Sequence, residues 1–316
     1  KLEDFATSIY EKVKMNNRTR YLSLCNYLKE KHRIIVKDIL PEENRPFSKI
    51  FLPEKKEFHL SDLLNLETKK LYTAALVAQL EADDVIEEYL DDFSFPSVTS
   101  RKVSKVALLN YAGAAIIMPY EIFFHECVKK HRYDLELLQS TFAVSFEQVC
   151  HRVTCLNNPD PKLRGIPLHM IRVDRSGNVS KRFSLSGIEL PRLSGACPKW
   201  NVYSAFSNPG KISAAVSKMT DGEKYVCIAR TVEKGISKYG EEKGLLSIGL
   251  GCQIKYAKDF VYADRLNLGD EKSESKIGVS CRKCDRLDCS QRAFPPDTQN
   301  YDVNINQRGV SIFVTG

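Results

Sequence analysis

Near its carboxy-terminal end the chain reads Cys281-Arg-Lys-Cys284-Asp-Arg-Leu-Asp-Cys289-Ser-Gln-Arg-Ala-Phe-Pro-Pro, three cysteines within nine residues followed by two prolines. No other segment restricts the fold as much. Thiols at CxxCxxxxC spacing face one centre only if the backbone wraps around it, and the prolines stop a regular element from running on. The amino end, KLEDFATSIYEKVK, reads as a charged amphipathic helix and not as a signal peptide, so a disulfide framework is not expected and close cysteine spacing points to metal. Of the other cysteines, Cys25, Cys127, Cys150, Cys155 and Cys227 sit in apolar or helical surroundings and read as small buried hydrophobes.

A zinc site or a fully protein-ligated [4Fe–4S] cluster needs a fourth ligand. Cys252, in IGLGCQIKYA, is the first candidate because the glycine beside it lets backbone approach closely; Cys197, in LSGACPKW, is the second. A zinc ribbon would carry a second CxxC pair, which the chain lacks, yet spacing alone leaves zinc and iron–sulfur both open.

At 316 residues the chain divides into more than one domain. The expected fold class is α+β, with a mainly helical half over 1–160 and a β-rich α+β ligand-binding domain over 161–316 that carries the cysteine-ligated centre. Helical periodicity marks LEDFATSIYEKVKM, NRTRYLSLCNYLKEKH, LETKKLYTAALVAQLEADDVIEEYLDD and SRKVSKVALLNYAGAAIIMPYEIFFHECVKKHR. Between the second and third of these, RIIVKDILPEENRPFSKIFLPEKKEFHLS predicts a small sheet broken by proline and acidic turns. From Ile166 the pattern turns β-rich, beginning with a hairpin around Asp174-Arg-Ser-Gly-Asn178. No apolar run is long enough for a membrane span, so a cytoplasmic protein is expected.

Other chemistry is sparse. Residues 137–156 outline a helix-turn-helix, with Ser145 capping the second helix and Gln148 three residues on; its cations for phosphate contact are His151 and Arg152. A DNA-binding role through this unit is one alternative, and an iron–sulfur or zinc hydrolase is another. His125-Glu126 is followed by His131, six residues after His125, so the HExxH spacing that puts both rings on one helix face is absent. Gly249-Leu-Gly251 reads as tight packing beside Cys252. The hairpin IRVDRSGNVSKRFS groups Arg172, Lys181 and Arg182, with Arg192 and the lone Trp200 following, a set that suits phosphates and an adenine ring. The excess of 47 Lys and Arg over 40 Asp and Glu, a net charge of +7, is compatible with such an acidic ligand.

Taken together, NYAGAAIIMPY, RYDLELLQSTFAVSFEQVCHR, RVDRSGNVSKRFS, GACPKWNVYSAF, GLGCQIKYA and CRKCDRLDCSQRAFPP resemble the sensor region of the short-chain fatty acyl-CoA regulators, bacterial transcription factors of propionate and acetate metabolism. The resemblance covers most of residues 20–296. It implies a first domain related to ImmA/IrrE-type metallopeptidases, disabled because YTAALVAQLEADD contains no histidine. It implies a second domain that binds a short-chain acyl-CoA such as propionyl-CoA, and it favours a [4Fe–4S] cluster over zinc on Cys281, Cys284, Cys289 and Cys252. The expected partners are that acyl-CoA, promoter DNA through an N-terminal domain missing from this chain, and further copies in a homo-oligomer. Neither catalysis nor a membrane is expected.

Overall fold

The computed structural model describes residues 1–13, 19–40, 47–192, 195–235, 240, 244–286, 288–297, 305–306, 309 and 313. The expected acidic turn at 41–46 lies outside them. Two units form: one contains Lys1–Lys130 and Leu135–Arg152, the other His131–Asp134, Val153–Lys234 and the chain from Gly244.

The first unit is mainly helical, with a small three-stranded sheet packed beside its second helix. Its helices are α1 (Leu2–Lys12), α2 (Arg20–His32), α3 (Leu66–Glu81), α4 (Asp83–Asp91), α5 (Val98–Ile117), α6 (Tyr120–Phe124), α7 (Leu135–Phe142) and α8 (Phe146–Val153). In α1 the buried Leu2, Ala6 and Ile9 recur at four- and three-residue steps, the stripe that drives an amphipathic helix onto a core. The Asn65 side chain accepts from Thr68 N at the start of α3, and Ser97 and Ser100 form a reciprocal capping box on α5. Gly113 lets α5 approach α3 closely: a Cβ there would lie 2.8 Å from Ala75 N. The helical stretch expected over 100–132 breaks after Ile117, because Pro119 disfavours helical geometry at Met118. In the small sheet, β3 (Glu57–Ser61) is central, pairing in parallel with β1 (Ile35–Ile39) and antiparallel with β2 (Lys49–Leu52). Among the described residues no single helix is long and apolar enough to cross a membrane.

The second unit is built on a six-stranded sheet in the order β5-β4-β8-β7-β6-β9. Its strands are β4 (Leu168–Asp174), β5 (Val179–Ser184), β6 (Ser213–Lys218), β7 (Lys224–Lys234), β8 (Gly244–Gln253) and β9 (Ser275–Lys276), with the short α9 (Asn201–Ser204) between β5 and β6. All neighbours are antiparallel except β6 and β9. The β4–β5 hairpin turns where expected: Gly177 takes φ +86° and the Asp174 carboxylate accepts from Asn178 N and Nδ2, both at 2.9 Å. One face of the sheet carries Ile171, Val173, Tyr225, Cys227 and Ala229 into a core with Trp200, Val202, Ile277 and Val279. Gly249 admits Val202 against β8, where a Cβ would stand 2.4 Å from Val202 Cγ1, so the glycine pair does serve tight packing.

Candidate metal centre

The cysteine segment hangs from the edge of the large sheet. Two residues of β9 pair with Ser217 and Lys218, Ile277 N then donates to Lys218 O at 2.9 Å, and the chain turns away at Gly278. Arg286 fastens the loop back to the same edge through Lys218 O (3.2 Å) and Met219 O (2.9 Å). Within the loop, Cys284 N closes a turn on Cys281 O and Arg292 N donates to Cys289 O. The Arg292 side chain, only 5% exposed, gathers the remaining backbone. Its Nη1 donates to Cys281 O (2.9 Å) and Phe294 O (3.2 Å), and its Nη2 to Cys284 O (2.7 Å) and Arg286 O. A planar fork with fixed donor directions can satisfy four converging carbonyls in a way that a single ammonium cannot.

Cys197 reaches this loop from the turn that leads into α9, where Trp200 N donates to Cys197 O at 3.0 Å. Cys197, Pro198, Cys281, Cys284, Cys289 and Arg292 line one pocket of about 240 Å³, part of it open to solvent. Burial pushes the Cys197 thiol up, and the backbone N–H groups of Gly278 and Lys199, which donate toward its sulfur, pull it down; the neighbouring Cys281 and Cys284 add to the rise. Gly278 also backs Cys284: a Cβ there would stand 2.8 Å from Cys284 Sγ. Thus four thiols from two distant stretches meet, with amide donors already aimed at one of them. Among the described residues, however, no three His, Cys, Asp or Glu side chains converge closely enough to hold a single ion. A tetrahedral zinc, with Zn–S bonds of about 2.3 Å, requires sulfurs roughly 3.8 Å apart. The four thiols line one cavity without converging on one point.

The expectation that Cys252 completes the set is corrected by its place in the sheet. Side chains alternate along a strand, and Cys252 lies directly opposite Val226 and Leu168, facing away from the side that carries Cys227, Trp200 and Cys197. It is fully buried, its thiol pushed up to about 12 by desolvation, and it does not line the pocket. The adjoining glycine does permit a close approach, but of a different group: a Cβ on Gly251 would lie 2.7 Å from Cε1 of His169. That imidazole is completely buried, bonded through Nδ1 to Ser186 Oγ at 2.9 Å, and desolvation lowers its pKa to about 3.

The cationic hairpin is present but divided. Arg172 lies opposite Lys181, and a shift in register beside Arg172 sets Ser180 where Arg172 Nε donates to it at 2.9 Å. Arg182 pairs with Ile171, so it belongs to the other face. Its Nη1 donates to Pro191 O (3.0 Å) and Arg192 O (3.1 Å), which ties the β5 edge to the following loop. Arg192 is exposed. Trp200 is 3% exposed within the core, its ring tilted on His169 at 6.0 Å, and offers no open face for an adenine.

The 137–156 unit has the expected helix pair and cap. Gln148 N donates to Ser145 Oγ (3.2 Å) and Ser145 N to Gln148 Oε1 (2.9 Å). Its chief cation is unavailable for phosphate, however. Arg152 is 1% exposed, forks onto both oxygens of Glu3 at 2.7 and 2.8 Å, and donates from Nε to Met118 O at 3.0 Å. In the first unit, α3 carries no histidine and buries Lys69, Lys70 and Thr73. Arg292 and Gly278 were not legible as site residues in the sequence, since their roles appear only when the loop closes.

Residues 155–313 match the family described as short-chain fatty acyl coenzyme A regulator, C-terminal, and residues 29–154 match the IrrE N-terminal-like domain. The chain is 38% identical over 264 residues to the HTH-type transcriptional regulator RamB of Mycobacterium tuberculosis, covering 83% of this chain and 55% of that protein. It is 36% identical to the propionyl-CoA carboxylase regulator of Cereibacter sphaeroides, over 81% of this chain and 55% of that one. A solved Mycobacterium tuberculosis transcriptional regulator superposes with a TM-score of 0.89 at 29% identity, over 99% of this chain and 94% of that one. The chain spans about half the length of these curated relatives. By match and by fold, it belongs to the short-chain fatty acyl-CoA regulators, with a peptidase-like first unit.

Proposed function

We propose that this chain is the ligand-sensing part of a transcription regulator: its second unit binds a short-chain acyl-CoA, propionyl-CoA or a close homologue, and holds a [4Fe–4S] cluster. The observation that carries the reading is the meeting of Cys197 with Cys281, Cys284 and Cys289 around one pocket. Those four would be the ligands, with Cys197 in the place first given to Cys252 and with zinc as the alternative metal. When bound, the cluster supplies a cross-link between the α9 side of the core and the terminal loop, and a one-electron redox couple. The chain's own part is to present four thiolates, aim the Gly278 and Lys199 amides at one of them, and hold the loop through Arg292.

For the coenzyme, Arg172 and Lys181 on one face, with Arg192 nearby in sequence, are the proposed phosphate contacts, and Arg182 serves mainly as a pin. Ligand-dependent bias of a conformational equilibrium would then be read by a DNA-binding element. We place that element outside this chain, since Arg152 is spent on Glu3, and we assign the chain no catalysis, since α3 has no histidine.

Anaerobic purification with iron and acid-labile sulfide analysis tests the cluster: about four of each per chain are expected, lost in Cys197→Ser and kept in Cys252→Ser. Zinc without sulfide would replace the cluster reading. Calorimetric titration with propionyl-CoA tests the ligand, with Lys181→Ala and Arg172→Ala each expected to cost on the order of 1.5–3 kcal/mol if those contacts are desolvated. No binding of any acyl-CoA would sink the sensor.

A further inference from the structure

The donor count of Arg292 does not close. Its guanidinium has five N–H bonds, and the four on Nη1 and Nη2 match the carbonyls of Cys281, Phe294, Cys284 and Arg286 one for one. The fifth, on Nε, is buried and has no protein partner. Buried N–H groups are rarely left unpaired, because the hydrogen bond to water they give up is not replaced. Here the residue lines a pocket whose other walls are Pro198, Cys197, Cys281, Cys284 and Cys289. We infer that Arg292 Nε donates a hydrogen bond to a sulfur of the group held in that pocket, either a bridging sulfide or a cysteine thiolate. The residue thereby has two functions on one planar group: four donors set the loop, and the fifth places positive charge against the metal–sulfur centre.

A cationic donor against the centre favours its more negative, reduced form, so it raises the reduction potential. The geometry separates this role from simple scaffolding. Scaffolding uses Nη1 and Nη2, whereas the proposed contact uses Nε, an atom that no carbonyl claims. The inference rests on the reading of the pocket as a [4Fe–4S] site, and the test is chosen to tell the two apart.

The decisive measurement uses the parent chain, purified anaerobically from cells fed arginine labelled with 15N at Nε alone. Iron and sulfide analysis comes first; their absence overturns the cluster reading and this inference with it. The cluster is then reduced by one electron with dithionite and studied by pulsed electron paramagnetic resonance. A 15N coupling to the cluster spin is expected, together with an exchangeable deuteron coupling in D₂O. A cluster signal without 15N coupling overturns the role of Nε while leaving the cluster in place. Arg292→Lys identifies the arginine responsible. It keeps the charge on a side chain without Nε, so the 15N coupling should vanish and the midpoint potential should move to more negative values. A coupling that persists in this variant, or an unchanged potential at full iron content, overturns the assignment to Arg292.

Discussion

At the scale of single residues, one missing side chain shapes the site and one buried ring sets how the fold responds to acid. Gly278 leaves room for Cys284 Sγ, which would stand 2.8 Å from any Cβ. Gly278→Ala should force that sulfur aside, lowering iron content and costing about 1–3 kcal/mol, the range for overpacking a closed site; normal loading by iron analysis would show that the loop yields freely. His169 makes a different prediction. Its folded pKa, about 3, lies below the ordinary 6.5 because burial disfavours the imidazolium. The unfolded chain therefore binds a proton that the fold refuses. The contribution of neutral His169 is complete above about pH 6.5 and falls by at most about 1.4 kcal/mol per unit as pH drops toward 3. Urea denaturation between about pH 6.5 and 4 should show this slope in the parent and lose it in His169→Gln; equal slopes would place the acid sensitivity elsewhere. Residue by residue, the three clustered cysteines could be read from spacing, but the fourth could not be read from its glycine. Counting by twos from Ile248 and Leu250 puts Cys252 on an apolar face, and that parity was the available signal. Nothing local marks Cys197, which meets the loop only after the chain has folded.

At the scale of elements, the α7–α8 pair shows what periodicity reveals and what it hides. Ser145 and Gln148 announced a capping box, and they form one, because capping chemistry is complete within four residues. Arg152, one of the two candidate cations for phosphate contact, is engaged inside the fold. It stands three residues after Val149 on α8, and that step carries it onto the buried stripe, where Glu3 of α1 meets it. Breaking a buried ion pair by removing one partner costs about 3–5 kcal/mol. Thermal melts should therefore show severe loss for Arg152→Ala and little for His151→Ala. Comparable small losses would reopen the phosphate-contact reading. The turn between the helices carries its own strain, with Ala143 at φ +50°, left-handed space that glycine occupies freely. Ala143→Gly should stabilise the first unit by up to about 1 kcal/mol, since the native conformation penalises a Cβ more than the unfolded chain rewards glycine. A lower midpoint in denaturant would mean that the Ala143 methyl contributes packing that outweighs the strain.

At the scale of the whole molecule, the question is how far the metal centre governs the second unit. The sheet has a core of its own in Ile171, Val173, Tyr225, Cys227, Trp200, Val202 and Ile277. The loop after Gly278 has little apolar burial by comparison: Cys281 and Cys289 are half-buried, Arg282 and Lys283 exposed, and much of its backbone hangs on the Arg292 and Arg286 guanidiniums. Thiolate ligation couples site formation to local order, so metal loss should be felt where the contacts are few. Anaerobic chelation is therefore expected to raise amide hydrogen exchange over residues 278–286 and 288–297 by roughly tenfold or more, the change that about 1.4 kcal/mol of lost local stability produces. Amides in β7 and β8, paired along ten residues each, should keep their protection. Exchange rising equally in both would make the centre a keystone of the entire unit. Exchange rising in neither would mean that the two arginines alone hold the loop, and the centre would then be free to come and go as a signal.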